Sequence, residues 1–406
     1  MISTHIQALC AVVVLCLFSP VMAADQARVF GALPELSDVV LAPDGLAVAA
    51  TKRQGADTIL AIYDLSGNGK NAFVKLGNGK VRGLSWGSNE RVIVEISFAE
   101  NPIWDKTDQV YELHRMLSIS RDGKENSRLM SKGGFDGYLS SGRVISTLPN
   151  DPDYVLVNFG HIVYKAHLRN GGVKVLTSGT AGRSQGNNTR ISTGITTAYY
   201  VAGSNGNVQV RSDYADKQDE RIFYYRETNK AKFKEFARFE ELDGEGSEFV
   251  VDGMKGDQMI IRSRNSAGFV VVQTISTVDG KTRDLFSLPD YDVESEIIDP
   301  YSDQVIGYSY LDDRVKQHFF GGVQKSLQKA VKDAFAGEDV LITSGSQDKK
   351  RFVLEVSKPG HPVTYLLFDL NDMATTLVGQ SYPQLAKMPM GSIQKFDYSA
   401  SDGLTI

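Results

Sequence analysis

Residues 182–186 spell the motif Gly-x-Ser-x-Gly, which in a hydrolase carries a nucleophilic serine. That chemistry needs a hydrophobic strand before the serine and a helix after it, because the serine must sit on a strained turn between the two. A hairpin strand at 173–177 precedes the motif, but the polar run 187–190 follows it. The pattern therefore favours a connecting loop, and we predict that Ser184 is not a nucleophile.

A second pattern, formed by Asp64, Ser66, Asn68 and Gly69, resembles the first half of a calcium-binding loop. An EF-hand also requires a bidentate glutamate at the twelfth position of the loop, and Lys75 stands there. We therefore predict a hairpin turn at this place and no metal site.

The histidines His114, His161, His167, His318 and His361 lack the spacing of metal ligands and have no acidic cluster beside them in the sequence. No glycine-rich phosphate-binding motif occurs either. The sequence therefore predicts no metal, no cofactor and no catalytic residue within this chain.

The overall composition is ordinary for a soluble globular protein, with 42% hydrophobic and 23% charged residues and a net charge of −5. Charges of both signs are interspersed without long runs, so nothing favours a nucleic-acid or anionic-membrane partner. Glycine is frequent, with 38 residues, as expected for a chain with many tight turns.

The N-terminal segment differs from the rest. An uncharged apolar run at 8–18 precedes small side chains that suit signal peptidase cleavage after Ala23. The run is too short to predict a membrane span. Both cysteines, Cys10 and Cys16, lie within the predicted signal peptide 1–23, so the mature chain would contain no disulfide. We expect a periplasmic or secreted protein.

From residue 34 onward, one pattern recurs at a period of about 45 residues: a turn, two apolar strands, a polar hairpin and a last strand. The opening turns fall near residues 44, 88, 151, 194, 256, 302 and 347. Four short strands at this period are typical of a propeller blade, which must pack against neighbours to bury both faces. We predict an all-β, seven-bladed propeller. Six or eight blades are the alternatives, because the fourth and sixth copies are diverged.

One segment, 323–336, has helical rather than strand periodicity. Its apolar residues recur at helical spacing, and Gly337 stands where a C-terminal cap would lie. These apolar residues are Leu327, Ala330, Val331, Ala334 and Phe335. We predict a short surface helix packed over the connection between the sixth and seventh blades. A docking helix for a partner is the alternative.

Several aromatic residues lie in predicted strands or beside them. We expect most to pack in the core and some to line the central channel or the face nearest a peptide. They are Tyr199, Tyr200, Tyr224, Tyr225, Tyr308, Tyr310, Phe319 and Phe320.

Residues 295–320 resemble the sixth-blade region of bacterial prolyl oligopeptidase family serine peptidases, in the acylaminoacyl-peptidase and dipeptidyl-aminopeptidase-like branch. In that branch a short helix follows, then a last blade, a Tyr-Pro linker and an aromatic-rich strand ending in Asp-Gly. The stretches that carry the resemblance are 299–303, 305–310, 312–314, 382–383 and 396–404.

The resemblance implies a propeller that caps an α/β-hydrolase active site and restricts access to short peptides. In the family the hydrolase domain follows the propeller and supplies Ser, Asp and His. We therefore expect a signal peptide at 1–23, a β-propeller at 24–380, and at 381–406 a linker with the first strand of a truncated hydrolase domain. With the rest of that domain missing, the chain as written is expected to be inactive. Short peptides would be substrates only through that hydrolase domain. The sequence leaves open whether the chain forms a homo-oligomer.

Two alternatives come from other functional classes. One is a free-standing periplasmic propeller that binds proteins or peptidoglycan-linked partners as a scaffold. The other is a regulatory pseudoenzyme subunit. The scaffold is less favoured than the peptidase, because 402–406 would form an unpaired strand edge of the kind that natural proteins avoid. The pseudoenzyme subunit is the third and weakest of the three.

Overall fold

The computed structural model describes residues 27–101, 109–135, 138–181, 194–203, 205–240, 249–388, 390–394 and 396–403. These residues form seven antiparallel sheets, and in each sheet the strands are paired in chain order. The predicted seven-bladed propeller is therefore confirmed. Outside the strands, the described part contains a helical turn at 27–30, the helix α1 (Gly322–Ala334) and a 3₁₀ turn at Leu385–Lys387.

The first four blades have four strands each. Blade 1 comprises β1 (Leu36–Leu41), β2 (Ala47–Gln54), β3 (Asp57–Asp64) and β4 (Ala72–Gly77). Blade 2 comprises β5 (Lys80–Ser88), β6 (Arg91–Glu100), β7 (Tyr111–Ser120) and β8 (Asn126–Arg128). Blade 3 comprises β9 (Arg143–Ser146), β10 (Tyr154–Phe159), β11 (Ile162–His167) and β12 (Val173–Ser178). Blade 4 comprises β13 (Ile195–Ala202), β14 (Val208–Ala215), β15 (Glu220–Tyr225) and β16 (Lys234–Glu240).

The remaining three blades complete the ring. Blade 5 comprises β17 (Phe249–Lys255), β18 (Gln258–Arg264), β19 (Val270–Ser276) and β20 (Thr282–Phe286). Blade 6 comprises β21 (Val293–Asp299), β22 (Gln304–Leu311) and β23 (Val315–Phe319). Blade 7 comprises β24 (Asp339–Gly345), β25 (Arg351–Ser357), β26 (Thr364–Asp369) and β27 (Ala374–Gln380).

The two diverged copies differ from the predicted pattern in separate ways. In blade 6 the sheet has three strands, and α1 follows the third. In blade 4 the turn near 194 precedes the first strand, whereas in the other blades the predicted turn joins the first strand to the second. The equivalent connection of blade 4 lies between β13 and β14, where Gly203 N donates to Asn207 O at 2.8 Å.

The opening turn of blade 1 shows how the sequence enforces these hairpins. Asp44 Oδ1 accepts a hydrogen bond from Leu46 N at 2.8 Å. The aspartate side chain thus takes the place of a backbone carbonyl as the acceptor for Leu46 N in this turn. Gly45 follows at φ +70°, a conformation that costs a residue without a side chain very little. The chain therefore reverses between β1 and β2 at this point.

Neighbouring blades are held together by apolar clusters, one at each of the seven seams. The seam between blades 7 and 1 closes the ring, with Leu41 and Val48 packed against Val353 and Leu367. Each fully buried Leu or Val contributes roughly 1.5–3 kcal/mol. The chain order of the blades is therefore also their order around the ring.

The second strands are buried on both faces, because each blade is covered by a neighbour on either side. Val92, Ile93 and Val94 of β6 are all fully buried. The fourth strands lie at the rim and expose large side chains such as Phe73 and Leu377. This decrease in burial from the second strand to the fourth explains why each copy in the sequence begins with a continuous apolar run and ends with alternating apolar and polar residues.

Helix α1 confirms the predicted helix and its place between blades 6 and 7, where it lies against β23 and β24. Leu327 and Val331 are buried, whereas Ala330 and Ala334 are exposed, so the buried face is narrower than predicted. Next to it, Gln317 joins the two blades: its side chain donates to Ile342 O at 3.1 Å and accepts from Ile342 N at 2.8 Å. None of the described helices is long and apolar enough to cross a membrane.

Candidate substrate channel

The first strands of the blades surround a central channel. One cavity, of about 430 Å³, lies among blades 1, 2 and 7 and is lined by residues that include Asp38, Gly83 and Glu355. Two further cavities share lining residues with each other. We call the first of these two the apolar chamber. It has a volume of about 230 Å³ and lies among blades 1, 2, 6 and 7. Its walls include Val40, Leu84, Trp86, Ile306, Phe319 and Phe352. The indole Nε1 of Trp86 donates to Val40 O at 3.2 Å, which fixes this ring in the wall.

The second cavity, the polar chamber, is larger, at about 470 Å³, and lies mainly among blades 3, 4, 5 and 6. Its walls include Glu95, Arg143, Asn158, Tyr199, Asp252, Arg262 and Glu296. Cavities of a few hundred Å³ hold small molecules and peptide segments rather than folded domains.

A charged cluster holds the wall of the polar chamber at the seam between blades 5 and 6. Arg262 donates to both carboxylate oxygens of Asp252, at 2.8 and 2.9 Å, and to Glu296 Oε2 at 3.0 Å. Tyr308 OH donates to Asp252 Oδ2 at 2.7 Å. Bidentate Arg–carboxylate pairs are among the stronger hydrogen bonds in proteins and fix geometry well. The cluster therefore joins the first two strands of both blades.

Burial controls the protonation of this cluster. It raises the pKa of Asp252, against the opposing effect of the Arg262 guanidinium. Burial, together with the neighbouring Asp252 carboxylate, also raises the pKa of Tyr308, so its hydroxyl remains a donor. Because the Asp252 oxygens are occupied by Arg262 and Tyr308, this carboxylate is suited to holding the blades rather than to proton transfer.

Two other charged side chains of the polar chamber are available to a ligand. The side chain of Glu95 on β6 has no hydrogen-bond or ion-pair partner within the described part of the chain, and burial raises its pKa. Arg143 on β9 has a 77% exposed side chain, with Nη2 only 3.9 Å from Glu296 Oε1. A carboxylate and a guanidinium in one cavity can pair with the ammonium and carboxylate groups of a peptide.

The calcium-like pattern is a hairpin, as predicted. It joins β3 to β4, and Asp64 accepts hydrogen bonds from Ser66 Oγ at 2.8 Å and from Gly69 N at 3.0 Å. The Ser66 hydrogen bond, with that from Gly69, lowers the pKa of Asp64. No three His, Cys, Asp or Glu side chains among the described residues are grouped so that they could hold a metal ion.

The histidines take part in packing and turns. The ring of His318 stacks on Phe286 with centroids 4.1 Å apart, and burial lowers its pKa. His167 Nδ1 accepts a hydrogen bond from Arg169 N at 3.0 Å. The Gly-x-Ser-x-Gly motif at 182–186 lies outside the described residues.

The aromatic residues divide as expected between core and channel. Tyr308 and Phe319 are almost completely buried, and Phe319 also forms part of the wall of the apolar chamber. Tyr199 and Tyr200 line the polar chamber, and Tyr199 OH accepts a hydrogen bond from Val251 N at 3.0 Å. The channel-lining aromatic residues are therefore part of the seams as well.

The sequence interpretation missed the charged residues of the polar chamber. Asp252 follows Val250 and Val251, and Arg262 follows Ile260 and Ile261. A charged residue that interrupts an apolar strand is the signal that could have found both, because burying a charge is costly unless it is paired. Their further partners could not be found this way, because Glu296 and Tyr308 come from the next blade.

Comparisons with protein-family models and with curated proteins found no match. The fold does match solved structures. Apo prolyl oligopeptidase B from Galerina marginata superimposes with a TM-score of 0.55 at 10% identity, over 94% of this chain and 56% of that chain. A prolyl endopeptidase studied for inter-domain dynamics in catalysis and specificity gives 0.54 at 11% identity, over 92% and 53%. Oligopeptidase B from Leishmania major gives 0.50 at 10% identity, over 92% and 52%.

These matches show that nearly the whole chain shares the propeller fold of prolyl oligopeptidases. The chain spans just over half the length of the structures it matches.

Proposed function

We propose that this propeller is the substrate-gating part of a serine peptidase of the prolyl oligopeptidase kind, which hydrolyses short peptides. The hydrolase active site would be supplied by residues beyond those of this chain. The observation that carries the proposal is a propeller that superimposes over 92–94% of its length on the three oligopeptidase structures, about half of whose length it spans.

The dimensions of the channel support a gating role. Its cavities, of about 230, 430 and 470 Å³, accept groups the size of a small molecule. Their walls are hydrogen-bonded strands fixed by seven apolar seams, so the channel cannot widen without separating blades. A folded protein is thereby excluded, whereas an unstructured short peptide is admitted.

The polar chamber offers the groups that a peptide would meet. Glu95 can pair with an ammonium group, and Arg143 can pair with a carboxylate. Both project from strands held by the blade cores, so little ordering is needed on binding. We propose that this chamber is where the propeller contacts peptide ends.

We further propose that the protein is exported, to a periplasm or out of the cell. The support is the apolar run at 8–18, followed by small residues before a cleavage site after Ala23. N-terminal sequencing of the native protein tests this: a mature start at Ala24 is expected, and a retained Met1 would contradict it.

The peptidase function is tested on native protein isolated from its source. A serine-directed fluorophosphonate should label it, and it should cleave a short unstructured peptide but not the same sequence placed inside a folded domain. Protein treated beforehand with the fluorophosphonate is the control and should cleave neither. Native protein that takes up no label and cleaves no peptide would contradict the proposal and favour the scaffold or regulatory alternative.

A further inference from the structure

The turn between β21 and β22 of blade 6 makes contacts on the opposite side of the channel. We call residues 299–303 the cross-channel strap. Thr147 Oγ1 of blade 3 donates to the carbonyl oxygen of Pro300 at 2.7 Å. Ser146 Oγ, also of blade 3, donates to Asp303 Oδ2 at 2.6 Å. Two side chains of blade 3 therefore hold one turn of blade 6.

Blades 3 and 6 are not neighbours. The apolar seams place blades 4 and 5 between them on one side of the ring, and blades 7, 1 and 2 on the other. Hydrogen bonds between blades 3 and 6 must therefore cross the central channel. Arg143 and Glu296, on the first strands of the same two blades, approach to 3.9 Å.

The cross-channel strap is also fixed on the side of blade 7. Tyr301 OH donates to Gly345 O at 3.0 Å, and Lys349 Nζ donates to Asp299 Oδ1 at 2.7 Å. The Asp299 carboxylate accepts a further hydrogen bond from Ser302 Oγ at 2.9 Å. A surface turn is usually held by its own blade alone, whereas this turn is anchored on both sides of the channel.

The two cavities meet at the cross-channel strap. Both are lined by Thr147, Ile298 and Pro300, and by Ser85 of blade 2. Pro300 belongs to the strap, Ile298 lies at the end of β21 beside it, and Thr147 is the anchor of the strap on blade 3. The boundary between the apolar and the polar chamber is therefore the strap itself.

We propose that the cross-channel strap divides the channel into two separate chambers, so that a peptide chain cannot pass from one to the other while Ser146 and Thr147 hold the turn. Its role in peptide access rests on the proposed function, which it deepens: the propeller presents two pockets instead of one open tunnel. Passage between them requires the strap to be released from blade 3.

The emission of Trp86, in the wall of the apolar chamber, reports this division. The 406 residues of this propeller chain, on which the test is made, contain two tryptophans, and a Trp104→Phe background leaves Trp86 as the only emitter. In that background, Ser146→Ala with Thr147→Val should release the strap. Acrylamide then enters from the polar chamber as well, and we expect its quenching constant for Trp86 to rise by at least about twofold, as for a local opening.

Thr343→Val is the matched control. Thr343 lines the same apolar chamber, but its hydroxyl donates to Val353 O within its own blade, at 3.4 Å. Replacing this threonine by valine should leave the acrylamide quenching constant of Trp86 the same as in the Trp104→Phe background. Thr147→Val alone, which removes one hydrogen bond, provides a second release variant if the double variant does not fold.

Unchanged quenching in a release variant that keeps the background's far-UV circular dichroism would overturn the proposal. An equal rise in Thr343→Val would overturn it as well, because the effect would then not depend on the strap. The outcome is separate from peptidase activity. Increased quenching in the propeller chain, together with native protein that takes up no fluorophosphonate and cleaves no peptide, would support the strap and refute the proposed function. Cleavage by the native protein with unchanged quenching in the propeller chain would refute the strap alone.

Discussion

The two chambers of the channel are built by the same architecture and differ in the charge of their walls. Val40, Trp86 and Phe352 give the apolar chamber hydrocarbon walls, whereas Arg262, Asp252 and Glu296 give the polar chamber charged ones. The seams behind both are alike in being apolar. The difference teaches that the seams hold the ring together, whereas the residues facing the channel set the chemistry of each chamber.

The polar chamber should be the more sensitive to a single substitution. Arg262→Met removes the cation that pairs with Asp252 and leaves a buried carboxylate with only the Tyr308 hydroxyl. Losing one partner of a buried pair typically costs about 3–5 kcal/mol. We expect a loss of that size in the free energy of unfolding at pH 7, measured by urea denaturation.

The control for Arg262→Met is the double variant Arg262→Met with Asp252→Asn, which removes the buried Asp252 charge and leaves Glu296 with Arg143 at 3.9 Å. It should recover a large part of the lost stability. The loss in Arg262→Met should also shrink as the pH is lowered, because a protonated Asp252 needs no cation. A loss below about 1 kcal/mol would mean that the charged cluster does not hold this seam.

A smaller and pH-dependent effect is expected at the boundary between the chambers. Burial raises the pKa of Asp303 to about 6, against 3.8 for an ordinary aspartate. The folded state therefore keeps its proton between about pH 4 and 6 while the unfolded state loses it. This contribution to stability is fully present below pH 4 and is lost as the pH rises through 6.

Asp303→Asn should remove this pH dependence. Asparagine is neutral at every pH, accepts the Ser146 hydrogen bond and tolerates the backbone φ of +50°. At pH 7 the variant should exceed the parent by roughly 2–3 kcal/mol in free energy of unfolding. At pH 4 the two should be nearly equal. Urea denaturation at both pH values measures the difference, and an equal gain at both would contradict the account of Asp303.

The apolar chamber should show the smallest effect. Ser344 Oγ accepts a hydrogen bond from Leu41 N at 3.0 Å across the seam between blades 7 and 1. Ser344→Ala leaves this backbone donor without its partner, which should cost about 1–2 kcal/mol. Thermal unfolding compared with Thr343→Val, a neighbouring change that breaks no bond between blades, measures it. A cost equal to that of Arg262→Met would remove the contrast between the chambers.

Much of the ring could be predicted because it follows from local patterns. Turn residues such as Asp44 and Gly45 determine the hairpins, and apolar runs such as Val92–Ile93–Val94 mark the second strands. The diverged blades were predicted less well, since nothing local distinguishes a turn before the first strand of blade 4 from one after it. The chambers could not be predicted at all. Ser146 and Asp303 lie 157 positions apart, and only closure of the ring brings them together.

That this propeller forms one part of a longer serine peptidase is tested most directly by the intact mass of the native protein, detected with an antibody against the propeller. We expect a mass larger by about one hydrolase domain, roughly 200–250 residues, together with labelling by a fluorophosphonate. A mass corresponding to residues 24–406, without label, would contradict the peptidase function and leave a propeller that binds or regulates other proteins.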